Sequence, residues 1–323
     1  MIPTIIIRMI SVLLIFLGPM RCDAQAIKVI LLGTGAPNPG IERFGPSTLV
    51  EAGTEKLLFD AGRGASQRLW QLKIPLGEVK ALFLTHLHSD HVVGIPDLWL
   101  TGWLPTPFGL RTTPLQVWGP KGTQEMMSSL RKAYQWDIRV RAEGPGHLPE
   151  SGIAIAAKDI VQGVVYERNG VKVTAFEVDH GPNLKPAFGY RIDYAGRSVI
   201  ISGDTRPSEN LVQFARNADV VIHEVMAARP ELLSKSAAAR GIVSTHTSPE
   251  EAGKIFERVK PRLAVYTHVS LFTTDPSIPP PSAEELIPRT RTTYAGPLEV
   301  GEDLMTIVIG DTVEVQRFTR PAR

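Results

Sequence analysis

Directly after the apolar run ALFL (81–84) the chain reads THLHSDH, which places His86, His88, Asp90 and His91 within six residues. Side chains alternate faces along a strand, so His86 and His88 can point the same way as the strand runs out. Asp90 and His91 open the next segment and approach from another side. That geometry suits two metal ions, one on His86 and His88 and the other on Asp90 and His91. No such site closes on four neighbours alone. The missing ligands must come from distant segments, and the strands that carry them must end at the same rim.

The eight histidines show where those ligands lie. His86, His88, His91, His180 in FEVDHG and His268 in VYTHVS all sit at or just beyond the end of an expected strand, and Asp204 in VIISGDT has the same setting. Ligands gathered at strand ends are what a site shared between sheets requires. His147, in EGPGHLPE, has no companion and reads as a surface loop residue. Cys22 is the only cysteine, so there is no disulfide framework and any metal is held by nitrogen and oxygen.

Strands are expected in AIKVILLG, STLVEAG, KLLFDAG, ALFLTH, PLQVWGP, VKVTAFEVDH, FGYRIDYAG, RSVIISGDT, DVVIHEV and RLAVYTHVS, with two more in LEVGEDLMTIVIGDTVEVQRF around a turn at Gly310–Asp311. Helices are expected in ASQRLWQLKI, HVVGIPDLWLTGWL, SENLVQFARNA and SPEEAGKIFERVKP, the last opened by a serine cap and two glutamates. Strand clusters separated by helices suit two mixed sheets with helices outside, in one α/β domain. The proline-rich stretch 276–281 is a loop within that domain, since core-like strand follows it.

The N-terminus stands apart. Arg8, the apolar run MISVLLIFL (9–17) and the spacing Ala24-x-Ala26 describe a secretory signal peptide over residues 1–26, with the mature domain at 27–323. The apolar run is shorter than the ~20 residues of a membrane span, so a periplasmic or secreted protein without stable membrane association is expected. A lipid anchor at Cys22 is poorly supported by its neighbours Met20 and Arg21. The chain carries 35 basic and 33 acidic residues. This near-balance gives no electrostatic case for a nucleic-acid partner.

THLHSDH is similar to the T-H-x-H-x-D-H signature of the metallo-β-lactamase superfamily, and LLFDAG resembles its preceding strand. LLGTGAPNP, DHGPNLKPAFGYRI, SGDT, IHE, HTSPEEA and YTHVS resemble, in order, the branch that holds ribonuclease Z and the secreted arylsulfatases related to it. The resemblance spans nearly all of the expected mature chain. It implies a single-domain, four-layer αββα sandwich. It also implies one zinc on His86, His88 and His180, a second on Asp90, His91 and His268, and Asp204 bridging them with a hydroxide. The donor types agree with two zinc ions, although manganese or iron fits the same set. His246, in STHTSPEEA, matches the family's catalytic histidine that is not a ligand, and histidine titrates where a general acid must. His223 and Glu224 resemble a His-Glu pair that orients His246 or the metal shell, and a structural core pair reads almost as well. Asp60 reads as support for the site.

Two ions about 3.5–4 Å apart clamp the oxygens of a tetrahedral ester. The substrate is a harder matter. Ribonuclease Z enzymes carry a protruding basic arm, in the bacterial forms between the positions matching His180 and Asp204, and only 24 residues separate these two here. With the leader and the balanced charge, this favours an exported arylsulfatase-like enzyme, with possible phosphodiesterase activity, acting on a small anionic ester rather than on nucleic acid. Trp99, Trp103 and Phe108 then line an aryl pocket or pack as core, and Arg289 and Arg291 contact an ester oxygen or lie in a solvated loop. The alternatives are a ribonuclease Z-like tRNA 3′ endonuclease and an exported metal-binding scaffold protein without activity. Members of the superfamily are often homodimers, but no stripe in the sequence marks an interface.

Overall fold

A computed structural model describes residues 26–319, in which two sheets stack face to face and helices cover both outer faces. The expected leader, residues 1–25 of it, lies outside the described residues. The first sheet contains β1 (Ile27–Gly33), β2 (Ser47–Ala52), β3 (Glu55–Phe59), β4 (Ala81–Phe83), β5 (Leu115–Gly119) and β6 (Ile155–Asp159). The second contains β7 (Gly163–Arg168), β8 (Val171–Val178), β9 (Ala187–Tyr194), β10 (Arg197–Ile201), β11 (Val220–Ala228), β12 (Leu263–Phe272) and β13 (Leu298–Val300). The chain then returns to the first sheet as β14 (Thr306–Ile309) and β15 (Val313–Gln316), giving the orders β15-β14-β1-β2-β3-β4-β5-β6 and β13-β12-β11-β10-β9-β8-β7. The C-terminal segment therefore forms three strands where two are expected. The short LEV pairs with β12 in parallel and leaves only the following hairpin for the first sheet.

Period-two alternation builds the layers. Val29, Leu31, Phe59 and Phe83 from the first sheet meet Phe188, Tyr190, Ile192, Ile222 and Val265 from the second in a central core. Phe59, Phe83, Trp118 and Tyr190 pack ring to ring there, with centroids 5.0–5.6 Å apart. The alternate residues face outward: Leu58, Leu82 and Leu84 toward the helix Ile95–Trp103, and Val221, Val225 and Ala264 toward the helix Pro249–Val259. Each such side chain contributes roughly 1.5–3 kcal/mol when fully buried. The helix Pro249–Val259 starts as its sequence suggests. Ser248 accepts from the Glu251 amide while the Glu251 carboxylate accepts from the Ser248 amide, a capping box, and Ile255, Phe256 and Val259 form the buried stripe.

Strand direction then positions the site. β3, β4 and β5 run parallel, as do β10, β11 and β12, so their C-terminal ends gather at one rim of the sandwich. In parallel sheets that rim is where ligands bind.

Candidate metal centre

The side chains leaving those strand ends meet between the sheets. His86, His88, His180 and Asp204 offer donor atoms within 4.8 Å of one another, and so do Asp90, His91 and His268. Asp204 joins the two groups. Its Oδ2 lies 3.9 Å from His86 Nε2, 3.8 Å from His180 Nε2, 3.4 Å from His91 Nε2 and 3.2 Å from His268 Nε2. The six residues expected at strand ends thus converge with Asp90, although His268 lies within β12, which runs on to Phe272.

The hydrogen bonds around the rings decide which nitrogens face inward. Asp60, just past β3, accepts from the Thr85 amide and hydroxyl, both at 2.8 Å, and from His91 Nδ1 at 2.7 Å. Because the Thr85 proton goes to Asp60, its oxygen accepts from His86 Nδ1 at 3.0 Å. His180 Nδ1 donates to the Thr245 carbonyl at 3.0 Å. His86, His91 and His180 are thereby fixed with Nδ1–H outward and a lone pair on Nε2 inward, the arrangement that outer partners impose on metal-binding imidazoles. His88 Nδ1 sits 3.0 Å from His86 Nε2 and 3.4 Å from His180 Nε2. At most one proton can be shared among these three nitrogens, so the cluster is an acceptor pocket that fits a cation. Buried His91 Nε2 likewise has no hydrogen-bond partner in the protein.

Electrostatics agree with that fit. Burial first, and then the charge of His91, hold His86 well below the ordinary histidine range, and burial with His180 lowers His88, so both present neutral imidazoles. Burial would raise Asp204, but His268 and His91 hold it well below the usual carboxylate range. His91 goes the other way. Against the effect of burial, Asp204 and Asp60 raise it well above its usual value, which marks its Nε2 as a place of strong negative potential. A proton there occupies the position of a cation. Imidazole and carboxylate without thiolate suit zinc.

Backbone conformations aim these groups. Opposite β11, β12 carries one extra residue: Glu224 pairs with Thr267 and Val225 with Val269, so His268 stands alone in a bulge with φ of 45°. A bulge turns its residue out of the normal alternation, and here it directs His268 to the rim. Such left-handed backbone costs a non-glycine residue about 1–3 kcal/mol and concentrates at functional sites. Asp60 shares it, at 57°. Gly203 precedes Asp204 with φ of 60°, and a Cβ there would come within 2.5 Å of the Phe188 carbonyl oxygen. No larger residue fits that turn.

His246 approaches from the loop before the helix Pro249–Val259. Its Nδ1 lies 3.2 Å from Glu224 Oε1, which also accepts from the Thr205 and Thr247 amides. Burial lowers the His246 pKa, but the Glu224 carboxylate and its hydrogen bond outweigh this and push it up to about 9. His246 lines a cleft of about 520 Å³ over the centre, with Leu184, Met226, Ile242 and Phe272 on one side. Among the described residues no Lys or Arg lines that cleft.

Six candidate residues lie elsewhere. His223 follows the alternation of β11 and faces away from Glu224, into the outer layer. Its ring lies 5.9 Å from Phe256, and its Nδ1 donates to the Glu224 carbonyl at 2.7 Å. It packs in the core, the reading that the sequence left open beside an orienting role. Trp99 and Trp103 are buried under the first sheet, donating to the carbonyls of Ile153 and Pro149 at 2.9 Å, and Phe108 packs edge-on to Trp70. No aryl pocket forms there. Arg289 grips Glu250 at 2.6 and 2.9 Å, and Arg291 turns to the carbonyls of Tyr294 and Gly296. His147 is exposed, as expected. Thr85 and Thr245 carry no signal in the sequence beyond their place next to a histidine.

A sandwich of two mixed sheets with two clusters of imidazole and carboxylate at one rim defines a metal-dependent hydrolase of the αββα class. Residues 55–269 match the family model described as the beta-lactamase superfamily domain. Ribonuclease Z of Mycobacterium bovis (strain BCG / Pasteur 1173P2) is 34% identical over 285 residues, covering 88% of this chain and 98% of the relative. Ribonuclease Z of Mycobacterium sp. (strain KMS) is also 34% identical, over 88% of this chain and 96% of its own. The chain belongs to the metallo-β-lactamase superfamily, with ribonuclease Z relatives inside it. Among solved structures, the human tRNase Z short form superposes with a TM-score of 0.65 at 21% identity, over 88% of this chain and 99% of that one. The metallo-β-lactamase fold protein YhfI of Bacillus subtilis gives 0.66 at 17%, over 88% and 99%. At these identities the structures speak for the fold alone.

These relatives overturn the arylsulfatase expectation, and with it the small anionic ester and the exclusion of nucleic acid. The short interval between His180 and Asp204 is real, because the β9–β10 hairpin fills it. It does not separate the chain from ribonuclease Z, however. The chain matches one such relative over 98% of that relative's length.

Proposed function

We propose that this chain is a two-zinc phosphodiesterase of the ribonuclease Z type that hydrolyses RNA. The observation that carries it is Asp204, whose single Oδ2 reaches imidazole nitrogens of both donor groups at 3.2–3.9 Å. Supporting it are the ribonuclease Z relatives, which match the chain almost end to end.

His86, His88 and His180 would hold one zinc, Asp90, His91 and His268 the other, and Asp204 both. Bound as a pair, such ions act as Lewis acids on phosphate oxygens and lower the pKa of the attacking water. The Asp60–Thr85 pair keeps the Nε2 lone pairs of His86 and His91 aimed inward. Glu224 occupies His246 Nδ1, so the proton for the leaving alkoxide oxygen comes from Nε2. A cleft without Lys or Arg leaves neutralisation of the reacting phosphate to the centre itself.

The test is to strip the full chain with EDTA, restore zinc, and measure metal content and cleavage of a 3′-extended precursor tRNA. Chelation should abolish cleavage, and restoration of two zinc ions per chain should recover it. A protein that holds two zinc ions and leaves the RNA intact overturns the proposal.

A further inference from the structure

Between β5 and β6 the chain leaves the rim as a helical hairpin, Thr123–Ala133 followed by Gln135–Glu143. Its root is firm. The Gly122 and Gln124 amides donate to the Asp159 carboxylate at 3.2 and 2.9 Å, and Gly122 lies against Leu87, which stands between His86 and His88. Beyond the root the hairpin packs only lightly on the body, with Met126, Leu130, Ile138 and Ala142 half-buried against the core and Tyr134 edge-on to Trp99 at 6.4 Å. The first helix buries only Thr123 and Met127, and the second buries nothing.

Around its middle it shows apolar and basic side chains to solvent, with Glu125 and Glu143 exposed toward its two ends. Trp136 is 67% exposed and Val140 47%, on one face at i and i+4 spacing, with Tyr134 at 37% beside them. Arg131, Lys132 and Arg139 are exposed around them and make no ion pair among the described residues, while Arg141 is tied to Asp137 at 2.9 Å. Elsewhere on the surface Arg229, Arg258, Arg262 and Arg289 are each paired with a carboxylate. An exposed indole flanked by free cations is not a feature the fold needs for stability, and exposed apolar surface of this kind marks an interaction site.

We propose that this hairpin binds single-stranded RNA, with a base stacked on Trp136 and phosphates on Arg131, Lys132 and Arg139. Aromatic rings and cations in alternation are how proteins hold single strands without reading sequence. A second copy of the chain is the weaker occupant. A two-fold interface sets a patch against itself, which would bring these cations against their own counterparts. The cleft offers RNA no cation, so binding must be found outside it, and the hairpin is rooted beside the metal motif. The inference rests on the ribonuclease reading for its purpose, although binding is measured apart from cleavage.

The experiment uses the zinc-loaded full chain, a fluorescein-labelled single-stranded RNA, and anisotropy over a salt series. Trp136→Ala should weaken binding ~10-fold. Replacing Arg131, Lys132 and Arg139 together by Gln should make the slope of log affinity against log salt shallower by about 2. Hydrolysis of bis(p-nitrophenyl) phosphate should be unchanged in both variants, which shows an intact fold and centre. Unchanged RNA affinity overturns the proposal. So does a dimer, seen by light scattering, that Trp136→Ala splits while RNA affinity holds. Wild-type protein that binds RNA through the hairpin without cleaving it sinks the ribonuclease reading alone, and cleavage that ignores both variants sinks this one alone.

Discussion

The first sheet supplies four ligand-type side chains from one stretch, Thr85–His91, while the second supplies three from separate places, His180 and Asp204 just past strand ends and His268 from a bulge within β12. The contiguous set shares one anchor: Asp60 holds Thr85 and His91 directly and His86 through Thr85. The dispersed set has no common anchor. His180 leans on the Thr245 carbonyl, Asp204 follows a left-handed glycine, and His268 sits in a bulge. A fault in the first set should therefore spread to several ligands through one residue, whereas a fault in the second removes one ligand at a time.

Asp204 is the exception that should break the contrast most sharply. Though it belongs to the dispersed set, its Oδ2 reaches both donor groups. Asp204→Ala should remove the link between them, lowering zinc content to one ion or fewer per chain. RNA cleavage should fall by more than the ~10²–10⁴-fold expected from loss of a general acid alone. Elemental analysis beside single-turnover cleavage reads both. Two zinc ions retained in the variant would show that the bridge is dispensable.

His246→Ala comes next, at ~10²–10⁴-fold in kcat for RNA, with zinc content unchanged because the ligands are intact. The loss should be far smaller for bis(p-nitrophenyl) phosphate, whose leaving group needs no proton. Equal losses on both substrates would remove His246 as the acid. Glu224→Gln sharpens the same point through pH. The carboxylate raises the His246 pKa to about 9 and keeps the proton in place through neutrality. Without that charge the proton leaves at lower pH, so the alkaline limb of kcat/KM should move down, and an unmoved limb would detach Glu224 from the acid.

Asp60→Asn tests the shared anchor itself. Outer partners of metal ligands typically carry 10–100-fold in affinity or activity, and zinc affinity should fall by about that much. Because Asp60 also raises the affinity of His91 for the proton that competes with the metal, its loss relieves that competition most at low pH, and the fall in zinc affinity should be smaller at pH 6 than at pH 8. A loss equal at both would mean that Asp60 acts on packing alone.

How much of this the sequence discloses follows the same division. THLHSDH shows its candidate ligands openly because they are neighbours, and FEVDHG and SGDT show theirs because each lies just past a strand end, whereas the strand that holds VYTHVS runs on to Phe272. The bulge at His268 is not visible, since nothing in VYTHVS distinguishes a strand that skips a partner from one that does not. Trp99 and Trp103 are equally ambiguous: an aromatic stripe after a metal motif has the same letters whether it lines a cleft or packs under a sheet. The hairpin 123–143 has only a short inward stripe, Met127 and Leu130 in one helix and Ile138 and Ala142 in the other, and its free cations vanish in a chain-wide balance of 35 basic and 33 acidic residues. Net charge gives no case for nucleic acid for that reason, because it averages over a surface that a ligand meets locally.

His223 and Glu224 reduce the comparison to two adjacent residues. Alternation along β11 sends Glu224 to the rim and His223 against Phe256 in the outer core, where burial lowers its pKa and keeps it neutral. His223 Nε2 is buried without a partner, so an apolar replacement relieves an unsatisfied atom while losing the bond from Nδ1 to the Glu224 carbonyl. The two effects oppose, and His223→Leu should change stability by no more than about 1 kcal/mol. RNA cleavage should stay within twofold of wild type at every pH, whereas Glu224→Gln moves the profile. A His223→Leu enzyme with an altered alkaline limb would place that ring in the catalytic network, and the division between the faces of β11 would fail at its narrowest point.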